Sequence, residues 1–579
     1  MKHLGLLICT VMLLALVVGC ATPEVVEVEK IVTQVVKETV VETVIVEGTP
    51  QVVEKEITRV VEVTPAPPLP ASKKGGTFAM ALGGDPSGLN GLYASSGYDL
   101  WPVTLSQRPL IVGGMDWGSV VEGDLAESWE ASDDGTVWTF HLRQDVKWQD
   151  GEPFTADDVL FTIAAAQDPE LQAAYYRERF LEDGEPILFE KLDDYTVRAT
   201  LSSPRASFHT SSIVPILPQH ILEGQDIRTS AYNEKPIGTG PFVVESWRSG
   251  ESITLVANPF FYRGEPYLDR FVFRVIPSEE ARLMALQTGE IDFLEILGKD
   301  VPRFLNNPQF TVITSPKDQQ RHILLNNAQP YFQDQRVRQA LMYALDRQAI
   351  VNTALQGYGY VADSPFNRTT DIYQEGKLTQ YEFNLEKAKE LLTEAGWVDS
   401  DGDGIIDKDG VAFKINLDYL TSWGFIVTSV PLVQNWWGQL GIDVTARAVE
   451  AASYLAAIRV EDIEKPYDCF FLGLSQMGPD PDSFTNPYAN SAPELNIPNY
   501  YNEEVKKLFD QARITVDPDE RHALYEQAEL ILWNDLPALP LFYPINVYAI
   551  NNRVNMEEAV FDTSFVPPFR YPDKLFIQQ

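Results

Sequence analysis

Residues 123–143 read GDLAESWEASDDGTVWTFHLR, and residues 146–159 read VKWQDGEPFTADDV. Residues 138–142 alternate apolar and polar side chains, which predicts a β-strand. Asp150-Gly151 is typical of a tight turn. Thr155 then precedes Asp157 and Asp158, and an N-cap residue followed by carboxylates in the first turn favours the start of a helix. Strand, turn and helix in this order indicate a mixed α/β body.

The same alternation continues along the chain. Further strands are predicted at 196–201, 253–256 and 271–275. Helices are predicted to begin after Ser278, Asn384 and Asp517, because each is an N-capping residue. The first two of these helices are predicted to end at Gly289 and Gly396. The segment after Asp334 repeats apolar residues at helical spacing, namely Val337, Ala340, Leu341, Ala344 and Leu345.

Residues 123–143 and 146–159 resemble the signature of family 5 extracellular solute-binding proteins, the oligopeptide- and dipeptide-binding family of ABC importers. Further segments match the family in the same order: PIGTGPF (236–242), NPFFY (258–262), LQTGEID (286–292), VRQALMYALD (337–346), QLGIDV (439–444) and LPALPLF (536–542). The resemblance covers about 460 residues and leaves out the N-terminal region. Its glycine-rich segment at 238–241 suits a tight turn near a passage between lobes.

This resemblance implies an α/β fold of the periplasmic-binding-protein-like type II class. Two hinged lobes and an extra domain would give three domains of mixed sheets flanked by helices. Domain I would combine residues 75–112, 237–318 and 543–579, domain II would be 113–236, and domain III would be 319–542. A small ligand would bind between domains I and III, and the closed form would deliver it to the permease subunits of an ABC importer. A monomer is expected.

The N-terminus has the layout of an export signal over residues 1–20. A basic start precedes an apolar run that ends at Gly19-Cys20, and residues 17–20 resemble the lipobox of bacterial lipoproteins. Acylation of Cys20 would hold the protein on the outer face of the cell membrane, in the periplasm or at the cell surface. Residues 21–74 contain no aromatic side chain and predict a stalk, either extended, a strand or a transient helix.

Composition excludes several classes of protein. The formal charge of −38 argues against binding to nucleic acid. Neither a Gly-x-Ser-x-Gly elbow nor a His-Glu-x-x-His zinc motif is present. The chain is therefore predicted not to be an enzyme and to need no cofactor. The alternative is a secreted, lipid-anchored hydrolase such as a glycosidase, because paired carboxylates occur readily among 83 acidic residues.

Four residues are candidates for ligand contact: Trp423, Met477, Asp480 and Tyr488. In peptide-binding members of the family, an aspartate ahead of an Asp-Pro-Asp-type segment pairs with the peptide's amino terminus. In this chain that position falls on or near Met477, which carries no charge, and Asp480 would have to compensate. The sequence therefore leaves an oligopeptide and an oligosaccharide stacked on aromatic rings both open. Ordinary packing in the core or on the surface is the alternative for each residue.

Residues 399–407 read DSDGDGIID and resemble the start of a calcium-binding loop. The predicted ligands of a structural calcium ion are Asp399, Asp401, Asp403 and Asp407. The twelfth position is Gly410, where such loops carry a bidentate glutamate. A metal-free turn after the helix that ends at Gly396 is the alternative. Cys469 lies in an apolar stretch and is predicted to be a buried core thiol.

Overall fold

The structure is a computed structural model that describes residues 32–46, 49–63 and 73–578, with internal gaps at 95, 115–117, 183, 212–213, 318, 371, 422–423, 451–466, 476–479, 485–487, 489–495 and 562–567. The chain divides into two compact units, residues 1–68 and 69–579. In the first unit, β1 (Val32–Val46) pairs antiparallel with β2 (Thr49–Val63). The sequence left extended chain, strand and helix open for the stalk, and these two segments of it form β-strands. None of the described helices is both long and apolar enough to span a membrane.

The second unit begins with β3 (Thr77–Leu82) and α1 (Gly97–Ser106). Domain II follows. Its strands are β4 (Ile111–Gly114), β5 (Gly118–Gly123), β6 (Ala126–Ala131), β7 (Val137–Leu142), β8 (Leu181–Glu182), β9 (Glu185–Pro186), β10 (Leu188–Asp193) and β11 (Thr196–Thr200). Its helices are α2 (Ala156–Gln167), α3 (Ala174–Arg177), α4 (Phe208–Ser211) and α5 (Gln219–Leu222). The four strands β10-β11-β7-β6 form one antiparallel sheet.

The chain then returns to domain I through β12 (Phe242–Arg248), β13 (Ser252–Ala257), β14 (Arg270–Val275), α6 (Glu279–Gln287), β15 (Phe293–Glu295), α7 (Pro302–Leu305) and β16 (Phe310–Pro316). Domain III contains β17 (Gln319–Leu325), α8 (Gln335–Tyr343), α9 (Arg347–Ala354), β18 (Gly359–Val361), α10 (Leu385–Glu394), β19 (Asp407–Lys408), β20 (Val411–Ala412), β21 (Lys414–Leu420), α11 (Gly424–Gly438), β22 (Asp443–Val449), β23 (Cys469–Ser475), α12 (Glu503–Ile514) and α13 (Pro518–Asp535). The last strands are β24 (Ala538–Asn551), β25 (Val554–Asn555) and β26 (Phe576–Ile577).

Strand β24 belongs to two domains at once. Residues 538–542 pair with β17 of domain III, and residues 545–551 pair with β16 of domain I. One sheet of 12 strands therefore runs from β12 to β22 through this shared strand. The chain crosses between the two predicted domains between β16 and β17 and again within β24, where the pairing partners change at residues 542–545. A motion of one domain against the other would bend the chain at these two crossings.

The local predictions agree closely with these elements. The strands predicted from 138, 196, 253 and 271 are β7, β11, β13 and β14. Ser278, Asn384 and Asp517 cap α6, α10 and α13. The apolar face predicted after Asp334 is completely buried, although its last two residues follow the end of α8. Cys469 is buried beside the carbonyl of Asn416, and burial raises the pKa of its thiol, so the predicted core thiol is confirmed.

The glycines at 238 and 240 serve a purpose other than the predicted tight turn. Neither has a positive φ angle. A Cβ atom on Gly238 would lie 2.0 Å from the carbonyl oxygen of Ser106, and one on Gly240 would lie 2.4 Å from that of Leu105. The side chain of Gln149 also bonds here, accepting from the Gly238 amide at 2.9 Å. These glycines are therefore needed for close packing against the end of α1.

Candidate functional site

Two neighbouring cavities lie beside the 12-stranded sheet, one at the carboxyl ends of β3 and β15 and the other against β24. In domain I, β3 is parallel to β14 and β15, so the carboxyl ends of these strands lie at one edge of the sheet. In domain III, β21 is parallel to β22 and β23. Open α/β sheets bind ligands at the carboxyl ends of their strands.

The first cavity has a volume of about 310 Å³ and lies at the carboxyl ends of β3 and β15. Its wall contains residues 80–83, residues 293–297 and the aromatic side chains of Tyr98 and Trp101. Among the described residues of this wall, Glu279, Glu295 and Asp300 are acidic and Arg282 is basic. Two of these carboxylates are paired, since Lys299 forms ion pairs with Glu279 at 2.7 Å and with Asp300 at 3.0 Å.

The second cavity, of about 440 Å³, lies against the shared strand and is called the β24 cavity below. Its wall combines residues 295–299 of domain I, residues 354–358 after α9, the start of α11 at 424–428, and residues 542–547 of β24. The charge balance is the reverse of the first cavity. Among the described residues of its wall, Lys299, Lys317 and Arg321 are basic, and Glu295 is acidic. Both cavities are within the range of ~300–1,000 Å³ that is usual for small-molecule sites.

Glu295, Ile296 and Leu297 line both cavities, so the two spaces are adjacent. Glu295 contacts Lys317 through an ion pair of 3.3 Å, and the side chain of Leu297 is 52% exposed between the two spaces. A ligand longer than one amino acid residue could therefore extend from one cavity to the other. Together the two cavities are the candidate binding cleft.

Two of the four predicted contact residues, Trp423 and Met477, lie outside the described residues. The other two are buried in domain III. Both carboxylate oxygens of Asp480 accept hydrogen bonds from Arg521, at 2.7 and 2.8 Å, so its charge is compensated inside the domain. Tyr488 is 2% exposed and packs in an apolar cluster with Leu472 and Phe509. A ligand contact at these positions stays a prediction.

Asp482, in the same segment as Asp480, contacts domain II. Its Oδ2 lies 3.5 Å from the hydroxyl of Ser207, and its Oδ1 accepts a hydrogen bond from Arg513 at 2.8 Å. The backbone amide of Ala206 also donates to the carbonyl of Arg513 at 2.8 Å. Domains II and III thus touch along the Asp-Pro-Asp segment. The structure gives this segment a role in interdomain packing that its sequence did not suggest.

The predicted calcium loop brings three of its four carboxylates together. One oxygen each of Asp399, Asp401 and Asp403 lie within 4.8 Å of one another, and all three side chains are exposed. Asp407 is not part of this group, because both of its oxygens accept hydrogen bonds from Ser400. Each of the three carboxylates also accepts a backbone N–H of the loop itself, as in a tight turn.

Sequence inspection missed the charged residues of the β24 cavity. Lys317 precedes β17 and Arg321 is its third residue, in a polar stretch, Ser315–Arg321, whose composition is that of a surface loop. Their position in the cavity depends on the pairing of β17 with β24, which is more than 200 residues away. A pattern within the segment could not have identified them.

Comparisons with known proteins agree with this geometry. A model of bacterial extracellular solute-binding proteins, family 5 Middle, matches residues 120–496. The chain belongs to this family. Its function is therefore solute binding, and a hydrolase has no support from these comparisons. The oligopeptide-binding protein AppA of Bacillus subtilis is 32% identical over 514 residues, which cover 86% of this chain and 90% of AppA.

Solved structures of family 5 proteins confirm the predicted fold class. The ABC transporter substrate-binding protein CtaP of Listeria monocytogenes matches with a TM-score of 0.77 and 28% identity, covering 87% of this chain and all of CtaP. The structure of Bacillus subtilis AppA in complex with a nonapeptide matches with a TM-score of 0.67 and 29% identity, covering 87% of this chain and 99% of AppA. The likeness covers most of the chain. The residue boundaries given above for the domains stay a prediction.

Proposed function

We propose that this protein captures short peptides outside the cytoplasm and delivers them to an ABC importer without altering them. The observation that carries the proposal is the cleft between the predicted domains I and III, which is lined by apolar side chains and by charged side chains of both signs. A peptide has a positive and a negative end, and complementary walls would orient it. The name of the Bacillus relative and its nonapeptide complex support the same class of ligand.

Binding and closure are one process in this proposal. A peptide in the cleft contacts residues 295–297 of domain I and the start of α11 in domain III, so it favours the form in which the domains are close. Apolar wall residues such as Leu297 and Phe425 gain burial when the cleft closes. The permease would then distinguish the closed form from the open form. The acidic and basic side chains have binding roles, and no bond of the ligand is broken.

Peptide binding can be tested with a pair of matched variants. Leu297→Trp places a large ring between the two cavities, whereas Leu188→Trp makes the same change at an exposed site of β10, 57% exposed and in domain II. Isothermal titration with a mixture of tri- to nonapeptides is expected to show binding to the wild type. We expect Leu297→Trp to weaken this binding about tenfold or more, equivalent to ~1.4 kcal/mol, and Leu188→Trp to leave it unchanged.

Ligands that copurify with the protein provide a second test. Mass spectrometry of small molecules released by denaturation is expected to find short peptides. Release of an oligosaccharide, together with the absence of any peptide heat signal, would contradict the proposal. Conversion of a peptide or a sugar by the pure protein would contradict the proposal that the chain is not an enzyme.

We also propose that the loop at 399–403 binds a structural calcium ion through Asp399, Asp401 and Asp403. Three converging carboxylates fit a hard cation, although they lack the bidentate glutamate of a complete loop, so the expected dissociation constant is ~10⁻⁴–10⁻³ M. Calcium titration should give one site that is lost in Asp401→Asn. The control Asp133→Asn changes another exposed aspartate and should retain it. No heat signal from the wild type at millimolar calcium would exclude the ion.

A lipid anchor on Cys20 is the proposed means of retention at the membrane. Acylation would follow removal of residues 1–19, and the paired strands β1 and β2 would then lie between the lipid and the binding domains along the chain. Mass spectrometry of the exported protein should find a diacylglyceryl group on Cys20. Cys20→Ala is expected to release the protein into the medium or the periplasm. Recovery of wild-type protein without lipid and without membrane association would contradict the anchor.

A further inference from the structure

The contact between the predicted domains II and III is small. The backbone amide of Ala206 in domain II donates to the carbonyl of Arg513 in α12 at 2.8 Å. The hydroxyl of the neighbouring Ser207 lies 3.5 Å from Oδ2 of Asp482. Ala206 and Ser207 are both buried where the two domains meet. A contact of this size fixes the relative position of two domains, and it costs little free energy to break.

An apolar contact and a charge contact complete this surface. Gly135, in the turn between β6 and β7, lies against Val516, between α12 and α13. A Cβ atom on Gly135 would lie 2.9 Å from Cγ2 of Val516, so a larger group does not fit between them. Asp482 interacts with an arginine of each domain. It accepts a hydrogen bond from Arg513 at 2.8 Å, and its charge opposes the effect of burial, which lowers the pKa of Arg205.

The predicted domain II is held firmly on domain I. The carboxylate of Asp124 in domain II is buried, and it forms ion pairs with Arg108 at 2.5 Å and with Arg263 at 3.0 Å, both from domain I. The side chain of Gln149 in domain II accepts a hydrogen bond from the Gly238 amide of domain I at 2.9 Å. Separation of these domains would leave buried charges without partners, which is costly. Domain II therefore moves with domain I, and its contact with domain III links the two sides of the cleft.

This contact exists in the arrangement in which the cleft walls face each other. The β24 cavity has walls from residues 295–299 of domain I and 424–428 of domain III. A rotation that widens the cleft about the two chain crossings also changes the distance between domains II and III. No described residue of domain II lines either cavity. An effect of domain II on ligand binding would therefore act through the position of domain III.

We propose that the contact is a reversible latch, which holds domain III in the position that closes the cleft and which opens when the cleft opens. Its residues are Gly135, Ala206, Ser207, Asp482, Arg513 and Val516. The latch increases the population of the closed form before a ligand binds. It therefore raises the apparent affinity, which scales with the fraction of binding-competent protein. The latch rests on the proposed function, because it acts on the closure that captures the ligand.

Val516→Trp tests the latch by placing a large ring where Gly135 leaves no space. The matched control is Ile514→Trp, the same change at a residue of the same segment that is 52% exposed. Small-angle X-ray scattering of the full-length chain without ligand is expected to show a larger radius of gyration for Val516→Trp than for the wild type and for Ile514→Trp. Isothermal titration with the mixture of tri- to nonapeptides should show affinity reduced about threefold to tenfold in Val516→Trp alone, the effect of one net hydrogen bond.

A disulfide across the latch provides a second test, which also serves if Val516→Trp does not fold. Gly135→Cys with Val516→Cys brings two thiols within reach of each other, because the Cβ position of residue 135 is so close to Val516. Gly135 has a positive φ angle, so the reduced form of the same protein is the control for strain. We expect peptide bound before oxidation to dissociate about tenfold or more slowly from the oxidised form, because the locked cleft cannot open. Wild-type protein treated in the same way should show no difference.

Two outcomes would overturn the latch. One is an unchanged radius of gyration in Val516→Trp, and the other is an oxidised disulfide variant that releases peptide as fast as its reduced form or faster. The scattering result separates the latch from the proposed function. A larger radius in Val516→Trp, with no peptide bound by any variant, would support the latch and contradict the peptide assignment. Equal peptide affinity and equal scattering in all variants would contradict the latch and support the proposed function.

Discussion

Replacement of Asp480 by alanine is expected to lower the free energy of unfolding by about 3–5 kcal/mol, because it leaves the guanidinium of Arg521 buried without its carboxylate. Asp480 is 7% exposed and Arg521 is 7% exposed, and two hydrogen bonds of 2.7 and 2.8 Å join them. Chemical denaturation followed by tryptophan fluorescence would measure the change. The effect is large because both charges have already lost their hydration in the folded chain.

The matched control is Asp510→Ala, which removes a partly exposed aspartate that contacts Lys506 one helical turn away in α12. Exposed ion pairs of this kind contribute ~0.3–0.5 kcal/mol, so this variant should change stability by less than 1 kcal/mol. Unchanged stability of Asp480→Ala, together with loss of ligand binding, would contradict the structural role. That outcome would instead support the ligand contact that the sequence predicts for Asp480.

Gly238→Ala is expected to destabilise the protein by about 3 kcal/mol, at the upper end of the range for overpacked sites. The added Cβ atom would lie 2.0 Å from a backbone carbonyl oxygen, which cannot move away by rotating a side chain. The segment that precedes β12 and the end of α1 would therefore have to separate. Thermal unfolding monitored by circular dichroism measures the loss.

Gly438→Ala is the control for this change, because no described atom beyond its chain neighbours and its own helix lies within 4 Å of its Cβ position, and the residue is the last of α11. Alanine favours a helix more than glycine does, so this variant should be neutral or slightly more stable. A Gly238→Ala protein as stable as the wild type would show that the close contact with Ser106 is not needed for folding.

Helices and strands could be predicted from the sequence where a few neighbouring residues determine them. The cap at Ser278, the cap at Asn384 and the alternation at 138–142 each depend on a few neighbouring residues, and the structure has a helix or a strand at each place. The stalk was ambiguous, since alternation of valine with charged residues suits several conformations. The glycines at 238 and 240 were located correctly as special positions, but their reason is a contact with α1, more than 130 residues earlier in the chain.

The binding site was harder to predict, because its walls come from distant segments. The position of Asp480 in a family motif predicts a ligand contact. Its actual partner, Arg521, lies 41 residues later in the chain, and no sequence spacing indicates that the two form an ion pair. Arg321 has no motif around it. Its place in the cavity results from the pairing of β17 with β24. The family resemblance predicts a cleft between domains I and III, but it does not identify the side chains that line it.

The shared strand also ties the folding of the two predicted domains together. Residues 538–551 complete the sheets of both, and they lie more than 200 residues after β16 and β17 in the chain. Until this segment pairs, β16 and β17 each keep an unpaired edge, and an exposed strand edge favours aggregation. Both halves of the sheet therefore depend on one pairing of high sequence separation, which is a slow step in folding.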